Sequence, residues 1–128
     1  TIQSRGLGDV YKRQFTDLEF LRTDSDIKGR VSPGALVYTF AEGLLVQSTM
    51  QHTGFAFLNM ELDVKAPTFS GDTIHVECEV VEARLTSRPG RGLVRTKNHI
   101  INQKNVTVIT YTPLRMIKCK NPNITKND

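Results

Sequence analysis

One helical apolar stripe followed by four strand-like segments restricts the folds that this chain can adopt. Apolar residues recur at helical spacing from Leu36 to Leu45, which predicts an amphipathic helix. Ser32 is positioned to cap this helix, Pro33 suits its first position, and the helix should end near residues 51–54. Because further apolar residues widen the stripe, we expect the helix to be largely enclosed.

The four segments after the helix are predicted strands, and in the first two of them apolar and polar residues alternate with the period of a half-buried strand. They are residues 56–64, 74–85, 93–101 and 106–117. The doubled Val80 and Val81 shift the alternation of the second segment, which predicts a β-bulge before Ala83. One helix followed by four antiparallel-type strands predicts an α+β fold in which a sheet wraps a central helix.

Length and composition indicate one domain, since the chain has 128 residues, of which 38% are apolar and 23% charged. We expect a cytoplasmic protein without a membrane span, because no apolar run is long enough to cross a bilayer and no leader-like segment is present. Cys78 and Cys119 provide neither a disulfide framework nor a metal-ligand spacing. Outside residues 1–14 the chain has 14 basic and 12 acidic side chains, and this near-balance argues against a nucleic-acid partner.

The string SRGLGDVYKRQ at residues 4–14 resembles the translation of a transposon-type sequencing-library adapter. Segments that do not belong to the gene are set aside before the fold is considered. We therefore expect residues 1–14 to be foreign, an N-terminally incomplete domain over residues 15–118, and a polar, frayed tail over residues 119–128. The alternative is a genuine basic N-terminal arm.

Four short segments, in order, carry a resemblance to a known family: GRVSPGAL at residues 29–36, FAEGL at 40–44, PTFSGDT at 67–73 and NQ at 102–103. They resemble the MaoC-like acyl-CoA hydratases and dehydratases. The resemblance implies the hot-dog fold, assembly as a homodimer or a heterodimer of hot-dog subunits, and reversible addition of water to a 2-enoyl-CoA in fatty acid metabolism. Coenzyme A would be part of the substrate, and no separate cofactor or metal is implied.

The family commonly places its catalytic pair in the motif D-x-N-P-x-H-x-D upstream of the central helix, where Asp and His handle the water and its protons. Asp17 matches the last Asp of this motif and is a candidate substrate-binding residue. Phe15 stands in place of His, and Val10 stands in place of the catalytic Asp. Either the natural pair is missing from this chain, or the family branch itself has Phe in place of His.

Other candidate site residues also follow from the resemblance. Gly34 matches the glycine whose backbone N–H binds the thioester carbonyl oxygen in an oxyanion hole, and Pro33 stands beside it where many members have His. Glu42 occupies a position that is often polar, from which it would orient water or repel an anionic substrate tail. Arg88 and Arg91 flank a turn and are candidates for binding the phosphates of coenzyme A. The structural alternatives are a tight helix start for Gly34, a solvated or capping role for Glu42, and ordinary exposed hairpin charge for the two arginines.

Three functions remain open on this basis. The leading interpretation is an acyl-CoA hydro-lyase that lacks its acid–base pair in this chain. A non-catalytic hot-dog subunit that supports an active partner is also compatible with Phe15. The third is a hot-dog acyl-CoA thioesterase, which would need the Glu42 carboxylate to face the thioester.

Overall fold

The computed structural model describes residues 31–127 of the chain. The predicted foreign segment 1–14 and the expectations for Val10, Phe15 and Asp17 lie outside the described residues. One helix and eight strands follow in the described part of the chain: β1 (Val31–Ser32), α1 (Gly34–Thr49), β2 (Gly54–Asn59), β3 (Leu62–Val64), β4 (Thr68–Phe69), β5 (Ile74–Leu85), β6 (Arg91–Asn102), β7 (Thr107–Tyr111) and β8 (Leu114–Lys118).

An antiparallel sheet built around β6 wraps α1, which confirms the α+β architecture. β5 runs along one side of β6 for the full length of both strands, while β8 and β7 share its other side. β2 pairs with β8, β3 pairs with β7, and the short β1 pairs with β4 in a separate ladder. Buried residues of the sheet meet the inner face of the helix to form the core: Val37, Ala41, Ile100, Val108, Ile109 and Tyr111.

Two of the four predicted strands are each divided into two. Residues 56–64 break between Asn59 and Leu62, and residues 106–117 break between Tyr111 and Leu114. Pro113 lies in the second break and has no N–H to continue the ladder. The breaks face each other, because the Thr112 N–H donates to the Glu61 carbonyl at 2.9 Å. The predicted bulge in β5 is confirmed by a register shift between Val80 and Glu82.

The prediction that Ser32 caps the helix is wrong. Ser32 belongs to β1, where it pairs with Thr68, and the N-cap position is taken by Pro33 with no side-chain cap. The Pro33 carbonyl accepts the first hydrogen bonds of the helix, from the N–H groups of Leu36 at 3.0 Å and Val37 at 3.2 Å. The helix therefore begins at a residue held by the β1–β4 ladder rather than by a capping side chain.

The expectation that the helix is largely enclosed is also wrong. Its inner face is buried at Val37, Ala41 and Leu45. Its outer stripe remains exposed, at 45% for Leu36, 62% for Phe40 and 49% for Leu44. The sheet of one chain covers only one side of α1, so an apolar stripe, defined here as Leu36, Phe40 and Leu44, remains open on the other side.

The tail after β8 lies against the β5–β6 hairpin instead of being frayed as predicted. The Cys119 N–H donates to the Gly90 carbonyl, and the Gly90 N–H donates to the Ile124 carbonyl, both at 2.9 Å. The Lys126 N–H donates to the Thr86 carbonyl at 2.9 Å. These three backbone hydrogen bonds fix the tail on the turn of the hairpin.

Replacement of Gly90 by alanine is expected to lower the free energy of unfolding by about 1–3 kcal/mol, because a left-handed backbone is strained for a residue with a Cβ. The φ angle of Gly90 is +72°, and an added Cβ would lie 2.7 Å from the Pro122 carbonyl oxygen. Urea unfolding monitored by circular dichroism measures the change. Gly43→Ala is the control: its Cβ meets nothing within 4 Å, and it should stabilise the helix slightly. Equal stability of the two variants would contradict the prediction.

Candidate functional site

The start of α1 presents free backbone donors. Pro33 has no N–H, and among residues 31–127 no acceptor is recorded for the N–H groups of Gly34 and Ala35. The first N–H groups of a helix carry partial positive charge and favour an anionic or carbonyl oxygen. The oxyanion role predicted for Gly34 requires such a donor.

Gly34 lines a groove of about 340 Å³ at this end of the helix. The other lining residues come from β1, α1, β7 and the segment from β3 to β4: Val31, Ser32, Val37, Val64, Lys65, Ala66, Pro67, Thr68 and Ile109. A Cβ added at Gly34 would lie 3.3 Å from the Val64 Cγ2 atom, so a larger side chain would occupy space in the groove. Lys65 is the only ionisable side chain among the described residues of this lining.

A second groove, of about 640 Å³, continues from the first along the apolar stripe of α1. The two grooves share Ser32, Val37 and Thr68 in their walls. The far wall of the larger groove is the turn that follows β4, together with the start of β5. The start of α1 is therefore joined to an apolar channel that one chain leaves open.

Hydrogen bonds hold the turn after β4 in place. Asp72 accepts from the Phe69 N–H through Oδ2 and from the Gln103 Nε2 through Oδ1, both at 2.8 Å. The Thr73 N–H donates to the Gln103 Oε1 at 3.1 Å. The bond from Phe69, followed by that from Gln103, lowers the pKa of the Asp72 carboxyl. Gln103 therefore links the β6–β7 turn to the wall of the larger groove, a role that its position in the sequence did not reveal.

Glu42 faces the sheet and is already fully engaged. Arg115 Nη2 donates to both carboxylate oxygens, at 2.5 Å to Oε1 and 2.6 Å to Oε2, and the Tyr111 hydroxyl donates to Oε1 at 2.8 Å. The side chains of Glu42 and Arg115 are 16% and 14% exposed. The Arg115 guanidinium also lies 4.9 Å from the centre of the Phe57 ring. The sequence reasoning found Glu42 but missed both partners.

Two tyrosines surround this ion pair. Burial, followed by the hydrogen bond to Glu42, raises the pKa of the Tyr111 phenol far above its ordinary value. Burial and then the Glu42 charge raise the pKa of Tyr38, whose ring meets the Tyr111 ring edge-on at 5.1 Å between centroids. Asn98 is the cross-strand neighbour of Tyr111, and its side chain is fully buried. Both phenols are therefore protonated at neutral pH.

Arg88 and Arg91 lie far from Gly34 within one chain. Arg91 pairs with Lys118 at the end of β8, and the Lys118 N–H donates to the Thr53 carbonyl beyond the C-terminal end of α1. With 16 residues, α1 is about 24 Å long at its ordinary rise per residue. The structure therefore does not bring these two arginines to the start of the helix.

Residues 31–127 contain neither a candidate metal site nor a candidate membrane span. No group of three or more His, Cys, Asp or Glu side chains in this range is placed to hold a metal ion. None of the helices in the same range has the length and apolar character needed to cross a bilayer.

Comparison with known proteins supports the fold. No protein-family model matches the sequence, and no curated protein matches it. Among solved structures, the monoamine oxidase regulatory protein from Archaeoglobus fulgius is 26% identical, with a TM-score of 0.75 over 84% of this chain and 72% of that one. A Mycobacterium tuberculosis protein with a double hot-dog fold is 22% identical, with a TM-score of 0.75 over 84% of this chain and 34% of that one.

A third solved structure, the MaoC-like dehydratase from Rhodospirillum rubrum, is 24% identical, with a TM-score of 0.72. The match covers 88% of this chain and 82% of that one. Its architecture agrees with the central helix and wrapping sheet described above, which confirms the fold that the resemblance implied. This chain therefore has the hot-dog fold of the MaoC-like dehydratases.

Proposed function

We propose that this chain binds an acyl thioester of coenzyme A at the start of α1 and belongs to the lineage that adds or removes water at a 2-enoyl or 3-hydroxyacyl group. The observation that carries the proposal is the pair of N–H groups at Gly34 and Ala35, which have no acceptor among residues 31–127 and lie beside a groove that Gly34 lines. The similarity in fold to a MaoC-like dehydratase supports it.

The chemistry explains why backbone donors suit this position. When water adds to a 2-enoyl thioester, its oxygen bonds to C3 and the thioester carbonyl oxygen gains negative charge until a proton reaches C2. Fixed donors at a helix start stabilise that charge without having to change protonation state. Gly34 and Ala35 therefore fit the binding of the carbonyl oxygen, which is one part of the reaction.

Proton transfer needs groups beyond this helix start. A general acid–base step requires an imidazole, a carboxylate or a similar side chain within hydrogen-bond reach of the reacting atoms. Within the described residues, the groove offers only Lys65 as an ionisable group. Catalytic groups would have to come from residues outside 31–127 or from another subunit, so binding is expected to be separable from turnover.

We further propose that a second hot-dog subunit, identical or different, covers the apolar stripe. The larger groove lies along this stripe and continues from the start of α1, so it suits an acyl chain. A subunit packed over Leu36, Phe40 and Leu44 would close the channel and bury three exposed apolar side chains. The acyl pocket would then be shared between subunits.

Among residues 31–127, the lining of the groove at Gly34 contains no carboxylate or imidazole, which also favours the second candidate function, a non-catalytic subunit that shapes the acyl pocket of an active partner. A thioesterase mechanism has less support. Its carboxylate would be Glu42, which accepts hydrogen bonds from Arg115 and Tyr111 instead of facing the groove.

Binding without turnover is the expected result for this chain with crotonyl-CoA. Without an acid–base pair, the hydration rate should be on the order of a hundred- to ten-thousand-fold below that of a complete hydratase. Isothermal titration calorimetry measures binding, and the loss of enoyl absorbance measures turnover. Gly34→Val should abolish binding, because its side chain projects into the groove toward Val64.

The matched control is Gly34→Ala, since Val64 is 60% exposed and has space to move away from a single methyl group. Thermal unfolding must first establish that both variants are folded. Unchanged binding of crotonyl-CoA by folded Gly34→Val would remove the helix start from the binding site and refute the proposal. Turnover at the rate of a complete hydratase would show that this chain does supply an acid–base pair.

A further inference from the structure

Charge is strongly segregated along the described chain. Residues 83–127 contain ten Lys and Arg residues and no Asp or Glu, whereas residues 31–82 contain seven acidic residues and only Lys65 as a basic one. The formal charge of +4 for the whole chain conceals this division. Such an asymmetry is informative about interaction partners when the fold leaves part of the charge unpaired.

In the folded chain, ion pairs neutralise some of the basic residues of segment 83–127. Arg115 pairs with Glu42, and Arg84 and Arg95 both approach Glu82, at 2.9 Å and 3.9 Å. Two other lysines, Lys97 and Lys104, lie near acidic groups, the former opposite Glu79 across the β5–β6 ladder and the latter near Asp72. The antiparallel pairing of β5 with β6 thus places acidic residues of segment 31–82 opposite basic residues of segment 83–127.

Eight cations have no ion-pair partner among residues 31–127, and five of them lie together at one end of the sheet. This basic end consists of Arg88, Arg91, Lys118, Lys120 and Lys126. Arg91 and Lys118 are direct cross-strand partners, a like-charge pairing that destabilises a sheet. The Arg91 guanidinium packs 4.5 Å from the centre of the Phe55 ring, which holds it in place without neutralising its charge.

The basic end is a fixed surface. The hydrogen bonds that anchor the tail, from Cys119 to Gly90 and from Lys126 to Thr86, bring the tail lysines beside the hairpin turn. Arg91 is half-buried, and the other four cations are exposed. The polypeptide therefore holds five positive charges together at the surface, despite the mutual repulsion that this causes.

The shape of this surface restricts its partner. The five cations do not line any of the four grooves of 280 to 640 Å³ seen on residues 31–127. Sites for small molecules are usually concave, so the basic end is poorly suited to a small molecule. Along the β5–β6 ladder, the residues beyond the basic end include the exposed acidic side chains Glu77 and Glu79, which would repel an extended anion such as a nucleic acid or an anionic membrane. A local acidic patch on a folded protein fits both the size and the charge of the surface.

We propose that the basic end is a docking surface for the acidic face of a partner protein. The surface lies at the opposite end of α1 from Gly34 and does not depend on the proposed thioester chemistry. It would guide the approach of the partner and depend strongly on salt, as exposed complementary charges do.

The test uses fluorescein-labelled poly-L-glutamate as the probe and measures fluorescence anisotropy at low and high salt on the full chain. Arg88→Gln combined with Lys120→Gln should weaken binding about three- to tenfold, because each exposed ion pair contributes little. The matched control, Lys97→Gln with Lys104→Gln, removes the same charge elsewhere and should change binding less than about twofold. Binding of crotonyl-CoA should be unchanged in both double variants.

Several results would overturn the proposal. Equal weakening in the two double variants would mean that poly-L-glutamate senses only net charge. Weaker crotonyl-CoA binding in the Arg88 and Lys120 variant would assign the surface to the phosphates of coenzyme A. Single-stranded DNA or phosphatidylserine vesicles that bind the parent chain more tightly than poly-L-glutamate, and lose that binding in the same variant, would identify a different class of partner.

Discussion

Replacement of Arg115 by methionine is expected to lower the free energy of unfolding by about 3–5 kcal/mol, the cost of leaving one member of a largely buried ion pair uncompensated. Glu42 would retain only the Tyr111 hydroxyl as a donor among its present partners, and its carboxylate would remain buried against the sheet. The packing of the guanidinium on Phe57 would be lost as well. Urea unfolding of the parent and the variant, with equal m-values, measures the difference.

Two controls identify the source of this loss. In the double variant Glu42→Leu with Arg115→Met, much of the lost stability should return, because apolar residues of similar volume often replace a buried pair without a net cost. Arg84→Met breaks the exposed pair with Glu82 and should cost no more than about 1 kcal/mol. If the Arg115 and Arg84 variants lost the same stability, the buried pair would not be a major support of the fold.

Substitution of Phe40 by glutamate is expected to weaken subunit association about thirtyfold or more, the effect of removing a central apolar anchor from an interface. Phe40 is 62% exposed and stands in the middle of the apolar stripe. A charge at this position would have to be desolvated against the second subunit. Sedimentation velocity over a range of protein concentrations gives the dissociation constants.

Leu58→Glu is the matched control, since Leu58 is 46% exposed but lies on β2, away from the stripe. It should leave association unchanged within about twofold, as substitutions outside the centre of an interface usually do. Equal weakening by both substitutions would argue against an interface centred on α1. A parent chain that is monomeric at all concentrations would refute the homodimer and leave the heterodimer as the form to test.

Local sequence patterns predicted much of the fold because each element has its own periodicity. The helical spacing from Leu36 to Leu45 identified α1, and the doubled Val80 and Val81 located the bulge in β5. The predictions failed where tertiary contacts overrode the local pattern. Ser32 has the chemistry of a cap, but its ladder with Thr68 holds it in a strand. The burial of the helix was overestimated because the pattern records an apolar surface without indicating whether the same chain covers it.

The site was less accessible to sequence reasoning, since its contacts join residues that are far apart along the chain. Arg115 lies 73 positions after Glu42, and no local pattern connects them. The motif around Gly34 was informative because the chemistry of a helix start is local. For Arg88 and Arg91 the residue type gave a plausible phosphate-binding role, but only the register of β6 with β8 revealed their distance from Gly34.

The facing breaks at Glu61 and Thr112 divide this side of the sheet into two pairs of strands. One pair, β3 with β7, supplies Val64 and Ile109 to the groove at Gly34, while the other, β2 with β8, ends in the basic end at Lys118. Separate backbone segments and a long helix thus lie between the two regions, and substitutions so far apart usually have additive effects. The two ends of this molecule can therefore evolve, or be engineered, independently: the charge of the basic end can change without altering the groove at Gly34.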